Sequence, residues 1–138
     1  MPVTYAIDAG KRTIRTRCFG DLTLQEILDH FRALEQDPDC PERLHVFLDV
    51  SQVDSVPTTH EISTAAFELK RIRDRVRFDA CAIVATGDAI FGMMRMFEAM
   101  AGEYFCATRT FRVAAEAEAW LALQQELSER KTERNGSS

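Results

Sequence analysis

The order of hydrophobic and polar residues along the chain predicts five strands and four helices. Short runs rich in β-branched and aromatic residues are typical of strands, whereas apolar residues spaced three and four apart are typical of amphipathic helices. Gly10, between the first two strands, predicts a hairpin turn. The predicted strands cover residues 3–8, 12–19, 44–50, 81–85 and 104–113, and the predicted helices cover residues 24–36, 58–75, 89–101 and 114–127.

This order predicts an α/β fold, β-β-α-β-α-β-α-β-α, with a mostly parallel sheet, one antiparallel edge strand and helices on both faces. A chain of 138 residues with 46% hydrophobic residues can bury one core, so we expect a single domain over residues 1–127. Residues 128–138 are charged and then small and polar, which is typical of a flexible tail.

The net charge and the hydropathy of the chain argue against nucleic-acid binding and against a membrane span. The formal net charge of -5 argues against nucleic-acid binding, because that function is typically carried by a basic surface. The longest apolar run is too short to span a membrane, and the first residues lack the pattern of a signal peptide. We therefore expect a cytoplasmic protein that binds no nucleic acid and has no membrane span.

The sequence contains none of the motifs that carry common enzyme chemistry. G-x-S-x-G, a phosphate-binding glycine-rich loop and H-E-x-x-H are all absent. No two of the cysteines form a C-x-x-C pair, so we expect reduced structural thiols rather than a zinc site. These features predict a protein without a cofactor or metal that acts by binding rather than by catalysis.

The segment 81–101 is the most apolar part of the chain, a buried strand followed by a helix. Arg95 and Glu98 are the only charged residues between positions 89 and 101. Apolar side chains therefore cover more of this helix than the single stripe that packing on a sheet requires. Three interpretations remain open: a protein interface, in a homodimer or with a partner protein; a pocket for a small apolar ligand or lipid; or hydrophobic core. The candidate site residues on this helix are Phe91, Met93, Met94, Met96, Phe97 and Met100.

Three passages resemble the STAS-like family, which includes bacterial anti-sigma-factor antagonists, the cytoplasmic domains of sulfate transporters and a subgroup of small stand-alone bacterial proteins. Asp49, followed two residues later by Ser51 after an apolar strand, is similar to the family's strand-to-loop passage. Residues 92–100 resemble the helix of the stand-alone subgroup, and residues 111–112 with residues 117–121 resemble its final strand and helix. The resemblance implies the α/β fold described above and a regulatory module without enzymatic activity.

The resemblance also implies a switch loop. In the antagonists, a partner kinase phosphorylates a serine at the start of the helix that follows this passage. The corresponding positions here are Thr58 and Thr59, although Pro57 and His60 stand where the family has Asp and Gly. From the residues alone, Thr58 or Thr59 is a good helix cap. The candidate switch loop therefore runs from Asp49 to Thr59.

The favoured function is a regulatory or interaction module that uses the helix at residues 89–101 as its interface. The alternative is a carrier or sensor that binds a small apolar ligand or lipid in a cleft lined by the same helix and by Phe67. The CRAL-TRIO-type lipid carriers, to which the STAS-like family is distantly similar, imply this second role.

Overall fold

The computed structural model describes the backbone of residues 3–136 and the side chains of residues 3–131. Its elements follow the predicted order, so the predicted α/β fold is confirmed. The strands are β1 (Val3–Asp8), β2 (Thr13–Gly20), β3 (Arg43–Val53), β4 (Arg77–Val84) and β5 (Ala107–Phe111). The helices are α1 (Leu24–Gln36), α2 (Thr59–Ile72), α3 (Asp88–Ala101) and α4 (Ala114–Gly136), and a short 3₁₀ turn (Gly102–Tyr104) precedes β5.

The five strands form one sheet in the order β1-β2-β3-β4-β5. β1 pairs with β2 in antiparallel fashion, and every other neighbouring pair is parallel. Each new parallel strand, from β3 to β5, is added at the same edge of the sheet. Right-handed crossovers therefore place the connecting helices α1, α2 and α3 on one face. α4 returns across the other face.

Each face of the sheet therefore has its own hydrophobic core. The main core lies under α1, α2 and α3, where β3 contributes the inward-facing Leu44 and Val50. The second core lies under α4, where Phe47 of β3 packs with Phe111 and Leu121. β3 supplies side chains to both cores because successive residues of a strand point to opposite faces.

Helices α1 and α2 each begin at a capping box. Thr23 Oγ1 accepts a hydrogen bond from the Glu26 backbone N (3.2 Å), and Glu26 Oε1 accepts one from the Thr23 backbone N (3.0 Å). Thr58 and Glu61 form the same two bonds at 3.1 and 2.9 Å. A capping box satisfies two backbone N–H groups that the helix cannot, so both helix starts are held after the carboxyl ends of β2 and β3.

Strand β3 is longer than expected. The sequence predicts a loop from residue 51, but β3 continues through Val53 because Gln52 and Val53 pair with Phe19 and Gly20 at the end of β2. The candidate switch loop is correspondingly shorter than its sequence limits.

The backbone is helical where we expected a flexible tail. α4 continues past Leu127 to Gly136, and residues 137 and 138 of the expected tail lie outside the described residues. Gln125 donates a hydrogen bond to Thr13 Oγ1 (2.7 Å), and Arg12 donates one to Ser128 Oγ (3.2 Å). Arg12 and Thr13, where β2 begins, therefore contact α4 near its residues 125–128.

Candidate functional site

An apolar cavity lies between the sheet and helices α1, α2 and α3, within the main core. Its volume is about 120 Å³. Its wall includes Val46 and Leu48 of β3, Phe31 of α1, Ala65 of α2 and Met94 of α3. An apolar space of this size accommodates a group of about the size of one aromatic ring.

The cavity exists because α1 covers the sheet incompletely. Among the side chains of α1, all of which the structure describes, only Leu34 is fully buried, and Ile27 and Phe31 are half-buried. Val46 and Leu48 are also only half-buried, although they lie on the central strand and face the three helices. Strands of a parallel sheet are normally covered on both faces. Part of the apolar sheet surface therefore faces the cavity instead of a helix.

A polar pair interrupts this apolar wall. Thr16 Oγ1 on β2 lies 3.4 Å from His30 Nε2 on α1, and both residues line the cavity. His30 Nδ1 is buried without a hydrogen-bond partner among the described residues. Burial lowers the pKa of His30 from 6.5 to about 4, so the imidazole is neutral at neutral pH. The Tyr5 ring contacts the imidazole edge-on, with centroids 5.3 Å apart.

The loops after β2 and β3 meet at one end of the cavity. Ser55 Oγ accepts a hydrogen bond from the Leu22 backbone N (3.2 Å) and donates one to the Leu22 carbonyl (3.4 Å). Glu61, whose carboxylate completes the α2 capping box, lines the same end. This end lies at the carboxyl ends of parallel strands, where open α/β sheets bind ligands.

Two thiols also line the cavity. Burial, with a smaller effect of the Asp49 carboxylate, raises the pKa of Cys18 to about 12. Burial also raises the pKa of Cys81. Both thiols are therefore protonated at neutral pH and behave as small apolar groups rather than as nucleophiles.

The candidate residues of α3 fall into three groups: residues that line the cavity, residues that pack against the core, and one exposed residue. Met94 and Phe97 are buried and line the cavity. Phe91, Met93 and Met96 are half-buried and pack against the main core. Met100 is exposed. Helix α3 is thus more completely covered by its own chain than its composition suggests.

Phe67 does not line the cleft in which the sequence led us to place it. Its side chain is 64% exposed on α2, and it is not among the residues around the cavity. The reason is helical spacing, because Ile62, Ala65, Ala66 and Leu69 form the buried face of α2 and Phe67 points away from it.

The candidate switch residues form local hydrogen bonds. Asp49 Oδ1 accepts hydrogen bonds from the Ser51 backbone N (2.9 Å) and from Ser51 Oγ (2.6 Å). Thr58 is the helix cap and Thr59 is the first residue of α2, and both are exposed. Asp49 and Ser51 lie within strand β3 rather than in a loop, and no hydrogen bond joins them to Thr58 or Thr59 among the described side chains.

Thr16, His30 and Glu61 are site residues that the sequence patterns did not single out. One signal was present for His30, which falls on the same helical stripe as Ile27, Phe31 and Leu34. A histidine in an apolar stripe marks either a buried polar contact or a site wall, and the pattern does not distinguish them. Thr16 and Glu61 carried no such signal, because Thr is common in strands and Glu is common in capping boxes.

No protein-family model matches the chain, and no match was found among curated proteins. In the described part of the chain, no helix is both long and apolar enough to cross a membrane. The described side chains also include no group of three or more His, Cys, Asp or Glu residues placed to hold a metal ion.

Proposed function

We propose that this protein is a carrier or sensor that binds a small apolar ligand in the cavity between the sheet and helices α1, α2 and α3. The observation that carries the proposal is the apolar cavity of about 120 Å³, whose floor is the half-buried surface of Val46 and Leu48 on the central strand. Protein interiors are normally packed without voids of this size.

The energetics favour an occupant. A closed apolar cavity destabilises a protein by about 24 cal/mol per Å³, so about 3 kcal/mol is the upper limit for this partly open space of about 120 Å³. An apolar ligand that fills the space restores the missing dispersion contacts and removes its own surface from water. These gains offset part of the entropy that association costs, and they require no catalytic group.

The topology agrees with this role. A mostly parallel sheet with helices on both faces is what the STAS-like resemblance implies, and that family is distantly similar to lipid carriers. Among the described residues around the cavity, the buried thiols are protonated and His30 has no carboxylate partner, which supports binding rather than catalysis.

Filling the cavity is the direct test. Ala65 is buried in α2 and lines the cavity, so Ala65→Leu extends a side chain into the space where a ligand would lie. We expect this variant to raise the free energy of unfolding by about 1 kcal/mol and to abolish binding of propylbenzene. Ala99→Leu is the matched control, because Ala99 is exposed on α3.

The methionines report where the ligand binds. With methyl-labelled methionine, NMR spectra of the wild-type protein should show the Met94 signal shifting as propylbenzene is added, while the Met100 signal stays unchanged. Met94 lines the cavity and Met100 is exposed, so one spectrum contains both probe and control. A Met94 signal that does not move, or that moves equally in Ala65→Leu, would contradict the proposal.

A second candidate function is the interaction module. The observation that favours it is the exposure of large apolar side chains on neighbouring helices: Phe67 of α2 is 64% exposed and Met100 of α3 is 39% exposed. Such side chains are typical of a contact with a second copy of the chain or with a partner protein. In this function, phosphorylation at the exposed Thr58 or Thr59 would add charge at the start of α2 and alter the neighbouring surface.

A further inference from the structure

The charges around the cavity restrict the chemistry of its ligand. Among the described residues that line it, none is a lysine or an arginine, and Glu61 is the one side chain with a formal charge at neutral pH. A carboxylate or phosphate entering this space would lose its hydration without gaining a cationic partner, and it would also be repelled by Glu61. Fatty acids and other anionic lipids are therefore poor ligands for this cavity.

The cavity is not purely apolar either. The contact between Thr16 Oγ1 and His30 Nε2 is long at 3.4 Å, so both groups keep hydrogen-bonding capacity. A hydroxyl can donate and accept, and a neutral imidazole has one nitrogen of each kind. A neutral ligand group, such as a hydroxyl or a carbonyl, can therefore replace this weak contact with stronger ones.

We propose, on the basis of the function proposed above, that the ligand is an uncharged amphiphile: an apolar body of about the size of one aromatic ring that carries one neutral hydrogen-bonding group, which bonds to Thr16 and His30. The apolar wall binds the body, the Thr16–His30 pair binds the polar group, and Glu61 at the loop end excludes anions.

A series of ligands with one common body tests the charge preference. Phenylpropanol, phenylpropanoate, phenylpropylamine and propylbenzene share the same ring and chain and differ in the terminal group. Titrations at neutral pH, followed by the Met94 methyl signal, should show the alcohol binding at least about tenfold more tightly than the acid. The amine should bind no more tightly than the alcohol, because burying an ammonium group is also costly.

Two variants assign the preference to residues. Thr16→Val keeps the shape of the side chain but removes its hydroxyl, so the affinity of the alcohol relative to that of propylbenzene should fall about fivefold. Thr16→Ser should restore the alcohol's affinity, and Thr4→Val, on the exposed face of β1, should change nothing. Glu61→Gln preserves the capping box and should reduce the acid's disadvantage by about threefold or more.

The outcomes separate this inference from the function on which it rests. Equal or tighter binding of the acid would overturn the inference alone, because the cavity would still bind ligands. An amine that binds tenfold more tightly than the alcohol would also overturn it, by showing that Glu61 recruits a cation. If no member of the series moves the Met94 signal, both the inference and the proposed function fail.

Discussion

His30 introduces a titratable group into a wall that is otherwise almost entirely apolar. Its neighbours are the Tyr5 and Phe31 rings and the Thr16 hydroxyl, and none of these carries a charge at neutral pH. Burial therefore acts on the imidazole without a compensating carboxylate and lowers the pKa of His30 to about 4. The folded protein keeps the imidazole neutral well below the pH at which an unfolded chain would protonate it.

This pKa difference predicts how stability changes with pH. Between pH 6.5 and about 4 the unfolded state binds a proton at His30 and the folded state does not, so stability falls as pH falls. The slope from this one group is at most about 1.4 kcal/mol per pH unit. His30→Phe removes the group, and urea unfolding curves across this range should show a shallower loss than in the wild-type protein.

Other buried groups also change stability with pH, so the effect of His30 is measured as the difference between the wild-type protein and His30→Phe. Burial also lowers the pKa of His45, and its contribution remains in His30→Phe. His60→Gln removes an exposed imidazole, so it is the control that separates the effect of a buried histidine from that of an exposed one. Identical pH slopes in the wild-type protein and His30→Phe would show that the imidazole is not held neutral by burial.

At the scale of elements, α1 and α2 are anchored very differently. They are of similar length, 13 and 14 residues, and both begin at capping boxes. α2 buries Ile62, Ala65, Ala66, Leu69 and Ile72, whereas α1 fully buries Leu34 alone. Since burial of an apolar face supplies most of the stability of a helix in a protein, we expect α1 to open more easily than α2.

Hydrogen exchange should detect this difference. We expect amides in the central turns of α1 to exchange at least about tenfold faster than those of α2 under native conditions. A saturating ligand, at about a hundred times its Kd, should slow α1 exchange by about a hundredfold, because opening this helix would release the ligand. Protection of α1 equal to that of α2 without ligand, or no ligand effect on α1, would contradict this account of the cavity.

The sequence predicted most elements, because their signals are local. The runs of β-branched and aromatic residues, the helical spacing of apolar residues and the glycine in the hairpin predicted the order of strands and helices, and with it the parallel sheet. The cavity could not be predicted in this way, since it depends on how far α1 stands from Val46 and Leu48 rather than on either segment's pattern. The length of α4 was missed for a similar reason, because its composition beyond Leu127 indicated a tail, whereas Arg12 contacts Ser128 from a distant part of the chain.

At the scale of the whole molecule, the exposed apolar residues do not form one surface. Phe67 and Met100 lie on helices that cover one face of the sheet, whereas Leu123 and Leu127 lie on α4, which covers the other. Single exposed apolar side chains are normal on a monomer, and an interface requires a contiguous patch. The distribution therefore fits a protein that uses its interior, rather than its exterior, for binding.

We accordingly expect native mass spectrometry at micromolar concentration to detect a monomer, with an excess mass from a bound small molecule that is lost on denaturation. The bound mass follows from a cavity whose walls are supplied by one chain, and the monomer follows from the lack of one contiguous apolar surface. A dimer that is lost in Phe67→Ser but retained in Ser63→Ala would instead support the interaction module, because both residues are exposed on α2 and only one is apolar. Covalent mass equal to one phosphate, retained on denaturation and absent from a variant lacking both Thr58 and Thr59, would support the switch loop. A monomer of unmodified mass that also fails to bind propylbenzene would exclude the carrier function, because the cavity would then be a packing defect of the main core.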